Sequence, residues 1–535
     1  MTHRTLVLLS LLSLAGCRAH APEPVSEVAS EAPARWWDGA VFYEVFVRSF
    51  ADSDGDGIGD LNGLIEKLDY LNDGNPETTD DLGVQALWLM PVFQSPSDHG
   101  YDTVDYETIE KDYGTNADFA RLLKEAHRRG IRVIVDLVLN HTSDKHPWFI
   151  ESAKGPSSAK RDWYVWSKTN PGWGQPWNPK GQSWHALGDE YYYGLFWSGM
   201  PDLNFRTPAV RDEMTRIATH WVAAGVDGFR LDAVRHLVET GPGPGQEGSE
   251  ENHVYLRDLA QAVHAANPQA AMVGEVWSTT AEIAKYFGRG DELEMLFDFP
   301  LAGALVKSAW SGDAQPVVEV LRASEKAYPP SAVSAPFLTN HDQIRVATAL
   351  AKDPARLRLA AALLLTMPGS PFIYYGEELG LANGPGNEDE WKRTPMTWTD
   401  GPTLGFTTGT PWHHTAPTQL VAPVSRQRAD PSSLLARYRA LIRARARSPA
   451  LTRGHLELLP ASDGVLAFLR VEPHERVLVV HNLSSSPRAV DLELGSCSSV
   501  PLFADVGVRL EAGAATCKVQ LGAFESGTFR LATGK

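Results

Sequence analysis

From Trp36 onward, short apolar runs alternate with amphipathic stretches, and the alternation recurs eight times. The runs Val41–Val47, Val84–Met90, Ile131–Leu137, Asp227–Leu231, Ala271–Val276, Met295–Phe299, Pro336–Thr339 and Pro371–Tyr375 read as strands. Helical patterns lie between most of them, among them Asn116–Arg129, Pro208–Ala224, Asn252–Ala266 and Asp353–Thr366. Strands that are apolar almost throughout need cover on both faces, and connections long enough to hold a helix join parallel neighbours. Eight such units predict an α/β protein built on a parallel (β/α)8 TIM barrel, whose functional groups gather just past the C-terminal ends of the strands. With 535 residues, the chain has room for that barrel and a further domain.

Two segments break the alternation. His141 to Phe205 is too long for a barrel loop, so residues 142–205 are expected to form an inserted irregular subdomain after the third strand. It holds seven of the sixteen tryptophans: Trp148, Trp163, Trp166, Trp173, Trp177, Trp184 and Trp197. Flat apolar rings with a polar edge suit stacking on sugar faces, although part of such a set serves to build a small core under long loops. After a last helix at Ser433–Arg447, short alternating runs such as Leu466–Val471 and Arg476–His481 predict an antiparallel β-sandwich over residues 451–535. Residues 36–141 and 206–450 are left for the barrel.

The chemistry clusters at the strand ends. Asp136 ends the third strand, Asp232 the fourth, Glu275 the fifth and Asp342 the seventh. Carboxylates crowded on one rim are costly unless function requires them, and two with different pKa values are what glycosidic cleavage needs. In Gly228-Phe229-Arg230-Leu231-Asp232, period 2 points Arg230 and Asp232 to the same side, so the cation keeps the carboxylate ionised and oriented as a nucleophile requires. His141, His341, Asp232 and Glu275 would also be plausible metal ligands. Against a metal stand the lack of a close His pair and the competition of Arg230 for Asp232.

A formal net charge of −17 disfavours nucleic acid and anionic lipid as partners and leaves a neutral sugar polymer easy to accommodate. At the N-terminus, Arg4, the apolar run Leu6 to Leu14 and the small-residue site Leu14-Ala15-Gly16-Cys17 form an address rather than a fold. The run resembles the lipobox of bacterial lipoproteins. That resemblance implies a signal peptide over residues 1–16, lipid attachment at Cys17 and a disordered tether over 17–35; the alternative is an ordinary secretory signal. Either way the location is extracytoplasmic. Cys497 and Cys517 then remain as a disulfide or as two free thiols.

Asp52-Ser53-Asp54-Gly55-Asp56-Gly57-Ile58-Gly59-Asp60 alternates carboxylates with glycine, which suits a hard cation such as Ca²⁺. It is no EF-hand, because the twelfth position is Gly63 where a bidentate Glu belongs. Nor is it a phosphate loop, since its aspartates would repel phosphate. A solvated acidic turn is the alternative.

Asp136–His141, Gly228–Asp232, Gly274–Trp277 and Phe337–Asp342 resemble, in order and spacing, the four signature regions of the α-amylase family of glycoside hydrolases, and Met200-Pro201-Asp202-Leu203-Asn204 resembles a fifth. The resemblance runs from about Trp36 to the end. It implies Asp232 as nucleophile, Glu275 as general acid/base and Asp342 as the transition-state carboxylate, with Tyr101, His141, Arg230 and His341 lining the subsite of the cleaved sugar. It implies retention of anomeric configuration through a covalent glycosyl-enzyme. It also implies structural calcium on Asp52, Asp54, Asp56, Asp60 and the Ile58 carbonyl, and a second site at Asn140, Asp202 and the His236 carbonyl.

Ala233 after Asp232 stands where relatives preferring α-1,6 links resemble one another in carrying Val. His99-Gly100-Tyr101 looks like starch-cutting members, whereas Met200-Pro201-Asp202 resembles a group intermediate between oligo-1,6-glucosidases and neopullulanases. The expectation is an endo-acting α-amylase on starch and maltooligosaccharides, working as a monomer. The alternative is an exo-acting α-glucosidase or a maltogenic, cyclodextrin-degrading enzyme. If Cys17 carries lipid, Cys17→Ser releases the protein from the membrane fraction or leaves its signal uncut. Membrane association unchanged by the substitution would assign the anchor to another segment.

Overall fold

The computed structural model describes residues 1, 35–415, 421–512 and 516–532; the lipobox run and the tether lie outside the described residues. Eight parallel strands, β1 (Phe42–Val45), β2 (Ala86–Leu89), β3 (Arg132–Val138), β4 (Gly228–Asp232), β5 (Ala271–Gly274), β6 (Met295–Phe297), β7 (Val333–Ala335) and β8 (Phe372–Tyr374), stand in the order β7-β6-β5-β4-β3-β2-β1-β8. The ring closes between β7 and β8, where Ser370 N donates to Ser334 O and Phe372 N to Pro336 O, both at 2.8 Å. This is the TIM barrel expected from the alternation.

The seventh strand lies earlier than the apolar run Pro336–Thr339 suggests. Proline has no N–H to give a ladder, so pairing with β6 ends at Ala335, and 336–339 follows as irregular chain. The helices match their patterns closely, because capping residues mark their ends. Thr115 and Asp118 form a reciprocal box at the start of Asn116–Arg128, and Ser433 caps Leu434–Ala446 through Ala436 N.

Period 2 sorts each barrel strand into two faces. Phe42, Trp88, Ile134, Val273, Met295, Phe297 and Phe372 fill the barrel interior, whereas Tyr43, Val45, Leu87, Val133, Val135, Phe229, Leu231 and Ile373 pack outward against the helices. Gly228 opens β4 because a Cβ there would lie 1.9 Å from Ala271 O on β5, and its φ of +150° suits glycine. Past β3, the insert folds as the helix Pro147–Ser152 and a three-stranded antiparallel sheet of Trp166–Ser167, Glu190–Tyr193 and Trp184–Leu187.

The C-terminal part is a sandwich of two antiparallel sheets. One orders β9 (His455–Leu458), β10 (Val465–Glu472), β11 (Glu475–Asn482), β16 (Ser526–Leu531) and β13 (Ser499–Ala504); the other orders β12 (Arg488–Leu492), β15 (Cys517–Leu521) and β14 (Arg509–Ala512). Leu469, Leu478 and Val480 from the first meet Val490, Val519 and Leu521 from the second. Cys497 and Cys517 are joined as a disulfide with Cα atoms 5.4 Å apart, which ties the segment leading into β13 to β15 in the other sheet. Two buried arginines seat the sandwich on the barrel. Arg445 Nη1 and Arg470 Nη1 donate to the carbonyls of Leu365, Thr366 and Met367, at the end of the helix Pro354–Thr366. These carbonyls have no partner within the helix, and cations there complement the helix dipole.

Candidate active site

The barrel register assembles the site. Arg230 of β4 lies opposite Asp136 of β3 and Val273 of β5, so all three neighbours along the inner wall share one level. Arg230 Nη1 donates to Asp136 Oδ1 at 2.9 Å and to Asp232 Oδ1 at 2.7 Å, and Nη2 pairs with Glu275 Oε2 at 2.9 Å. Trp88 and Tyr101 flank the guanidinium with ring centroids 5.2 and 5.5 Å from Cζ. Asp136, with no solvent exposure, also accepts from Tyr101 Oη at 3.1 Å and Trp88 Nε1 at 3.3 Å. All its nearby bonds run to the protein, so it holds Arg230 rather than meeting substrate.

A second relay starts on β1. Glu44, the inward residue after Phe42, sits 2.6 Å from His341 Nδ1. His341 Nε2 lies 2.7 Å from Tyr101 Oη and 3.2 Å from Asp342 Oδ2, and its ring stacks on Tyr101. Burial opposes charge on His341, but Asp342 and Glu44 outweigh it and push the imidazole up to about 9. Burial likewise opposes charge on Asp342, yet His341, Arg393 and Arg230 hold its carboxyl well below the usual range. Arg393 Nη2 donates to Asp342 Oδ1 at 3.1 Å, and Lys392 Nζ to Asp342 O at 2.9 Å.

The two central carboxyls behave otherwise. Burial raises Asp232 to about 6 against the pull of Arg230, and raises Glu275 to about 7, where Asp232 and Asp342 add to the shift. Both carboxyls are thus held above the usual carboxylate range beside a single cation, an environment of the kind that glycosidic cleavage uses. A single guanidinium binds both, which keeps them close, as a nucleophile and an acid on the same glycosidic bond must be. Ala233, directly after the nucleophile, takes a left-handed φ of 50° and turns its N–H toward Glu275 Oε2 at 3.3 Å.

The other expected residues fall as follows. His141 is buried beside Phe196, and burial lowers its pKa to about 3. Asn140 Nδ2 donates to Asp202 Oδ2 at 2.9 Å, Asp202 Oδ1 accepts from Leu195 N, and burial pushes the Asp202 carboxyl up to about 8. His236 turns its Nδ1 to Gln246 O at 3.0 Å. In the acidic loop, Asp52, Asp54 and Asp60 each bring a carboxylate oxygen within 4.8 Å of the others. Asp56 is outside that group and accepts from Ile58 N at 2.7 Å. Gly57 lets the loop lie against Thr410, whose carbonyl oxygen a Cβ would meet at 1.9 Å.

Sequence reasoning missed Glu44 and Arg393. Glu44 carried a signal, being a charged residue at an inward position of a barrel strand. Arg393 carried none, since it lies in a loop after β8, remote in sequence from every motif.

The pattern described as "Alpha amylase, catalytic domain" matches residues 44–454, and "Alpha-amylase SusG C-terminal domain" matches residues 465–527. With its eight-stranded barrel and carboxylate site, the chain belongs to the α-amylase family of glycoside hydrolases. It is 40% identical over 456 residues to "Alpha-amylase 3" of Dictyoglomus thermophilum, covering 84% of this chain and 85% of that one. It is 35% identical over 524 residues to "Trehalose synthase/amylase TreS" of Mycobacterium tuberculosis, with 88% and 85% covered. It is 32% identical over 515 residues to "Glucan 1,6-alpha-glucosidase" of Streptococcus pneumoniae, with 87% and 94% covered. Among solved structures, an α-amylase from H.orenii superposes with a TM-score of 0.83 at 38% identity, covering 92% of this chain and 100% of that chain.

Asp232→Asn keeps the shape of the side chain and removes the charge that the expected role as nucleophile needs. Its kcat on a glucan is expected to fall by about 10⁴-fold or more while the protein still melts cooperatively. A folded variant with near-wild-type turnover would remove Asp232 from the role.

Proposed function

We propose that this enzyme is a retaining, endo-acting α-amylase that cleaves α-1,4-glucosidic bonds of starch and maltooligosaccharides by double displacement. The observation that carries the reading is the pair Asp232 and Glu275, both bound to the one Arg230 guanidinium at 2.7 and 2.9 Å. A close pair favours direct attack by the carboxylate, whereas an inverting enzyme needs room for a water between the two. Asp232 attacks the anomeric carbon as Glu275 protonates the leaving oxygen, and Glu275 then deprotonates the water that releases the sugar. Ala233, the His99-Gly100-Tyr101 turn and the likeness to two proteins named α-amylase support the α-1,4 choice. Met200-Pro201-Asp202 and the relatives named trehalose synthase and glucan 1,6-α-glucosidase favour a second reading, an exo-acting α-glucosidase or a maltogenic enzyme.

Early products from soluble starch separate the two. Endo cleavage yields mixed oligosaccharides and a collapse of viscosity before much reducing sugar appears. Release of single glucose or maltose units with viscosity retained would replace this reading by the second.

The proposal extends to structural calcium and to a location outside the cytoplasm, lipid-anchored at Cys17. The residues fit a hard cation: three carboxylate oxygens converge in the acidic loop, and Asn140 Oδ1 is buried without a hydrogen-bond partner beside Asp202. Calcium would supply charge neutralisation there, joining the loop after β1 to itself and the insert to the barrel. Both the nucleophile and the acid are carboxylates, so the reaction needs no metal-bound water. An ion held only by the folded state stabilises it by about 2.7 kcal/mol at a hundred times its dissociation constant. EDTA is therefore expected to lower the melting temperature and added Ca²⁺ to restore it, with activity far below melting largely kept. Immediate loss of all activity in the cold with unchanged melting would contradict the structural role.

A further inference from the structure

Of the seven tryptophans in the insert, five are packed away. Trp148 and Trp163 meet edge to face, Trp166 stacks on Phe149, and Trp173 and Trp184 pack with Tyr193. Trp197, 49% exposed, folds over its own turn, with Gly199 closely beneath its ring. Trp177 differs from all of these. It is 53% exposed, and its aromatic neighbours are Phe196 at 5.5 Å and His236 at 5.8 Å.

Its backbone is built to hold it there. Gln175 and Asn178 exchange both main-chain hydrogen bonds at 3.1 Å, which puts Pro176 and Trp177 at the two corners of a tight turn, with proline fixing the first. Such corners ordinarily carry Gly, Asn or Asp. Gln175 Nε2 pins the turn to the carbonyls of Leu195 and Phe196 at 3.0 and 2.9 Å. From the other side, the fully buried Gln246 donates to Gly174 O at 2.9 Å and accepts from Tyr193 Oη at 3.0 Å. A large ring held half in water on a rigid, doubly anchored turn gains little for the fold, but it is preorganised to meet a ligand.

The ring also continues a path from the reacting groups. His141 packs against Phe196 with centroids 5.2 Å apart, Phe196 against Trp177, and His236, which closes the far side, is on the loop that begins at the nucleophile. We propose that Trp177 is an outlying glucan subsite, a stacking platform for a sugar unit beyond the one whose bond is cleaved, and that it favours long chains over short ones. The proposal rests on the glucan-cleaving reading above.

A platform that touches only long substrates contributes binding that short ones cannot collect. An aromatic contact of this kind corresponds to about tenfold in affinity. Trp177→Ala is expected to lower the ratio of kcat/KM for a long maltooligosaccharide to that for maltotriose by about tenfold, and Trp177→Phe to recover most of it. On the Asp232→Asn background, calorimetry is expected to show the same loss in binding of the long chain. An unchanged ratio, or an equal fall on both substrates with a lowered melting temperature, would overturn the proposal. The outcome is separate from the endo or exo question, which the wild-type product pattern decides.

Discussion

The mouth of this barrel depends on one guanidinium. Arg230 is 1% exposed and holds Asp136, Asp232 and Glu275 at once. Taking such a group out of water is expensive, and a buried pair is weak evidence for stability because apolar residues of the same size often serve a fold as well. What the pairing secures is arrangement. Asp136 has both oxygens on the same Nη1, at 2.9 and 3.0 Å, so it fixes the guanidinium. The guanidinium then fixes Asp232 and Glu275. Removing Arg230 would leave three largely buried carboxyls facing one another, where protonation would relieve the repulsion.

A second cation completes the balance without binding the nucleophile. His341, kept charged between Glu44 and Asp342, orients Asp342 from one side while Arg393 grips it from the other. Asp232, Glu275 and Asp342 thus face different fields. Asp342 meets two cations and stays ionised, whereas Asp232 and Glu275 divide one and are raised by burial, Asp232 also by Asp136 and Asp342, and Glu275 also by Asp232 and Asp342. Identical chemical groups acquire different tasks from their surroundings alone.

Most of this was legible in the chain because strand periodicity and catalytic geometry are the same fact. Arg230 and Asp232 are two apart, so they share a face, and the strand-end positions of Asp136 and Glu275 place them on the same rim. The seventh strand lies earlier than its apolar run suggests, since Pro336 ends the β7 ladder, and the segment after it brings His341 and Asp342 to the rim beside Arg230. What escaped was anything set by contacts distant in sequence. Arg393 reaches His341 O and Asp342 across an arc of chain that no periodicity describes. Trp177 is likewise one ring among seven until the tertiary fold shows which of them are covered. The disulfide between Cys497 and Cys517 was open for the same reason, because spacing alone does not bring two sheets together.

The division between strands and loops also bears on how such a site acquires its selectivity. Strand register holds Asp136, Arg230, Asp232 and Glu275 so tightly that a shift of any one disturbs the others, which leaves little freedom to tell one linkage from another. Groups able to feel the rest of the substrate must therefore come from segments that vary without moving the register. Here these are the insert after β3 and the chain after β8 that carries Lys392 and Arg393. Both are anchored by loop contacts, side-chain bonds such as Gln246 to Gly174 O and Lys392 to Asp342 O together with main-chain bonds such as Leu203 N to Asn140 O and Met396 N to Ser49 O. Anchors of that kind fix a surface well enough to bind, and they can be exchanged one at a time. Two kinds of interaction therefore meet at the mouth of this barrel: buried charge locked by a parallel sheet, and rings and polar groups held by loop contacts at its edge.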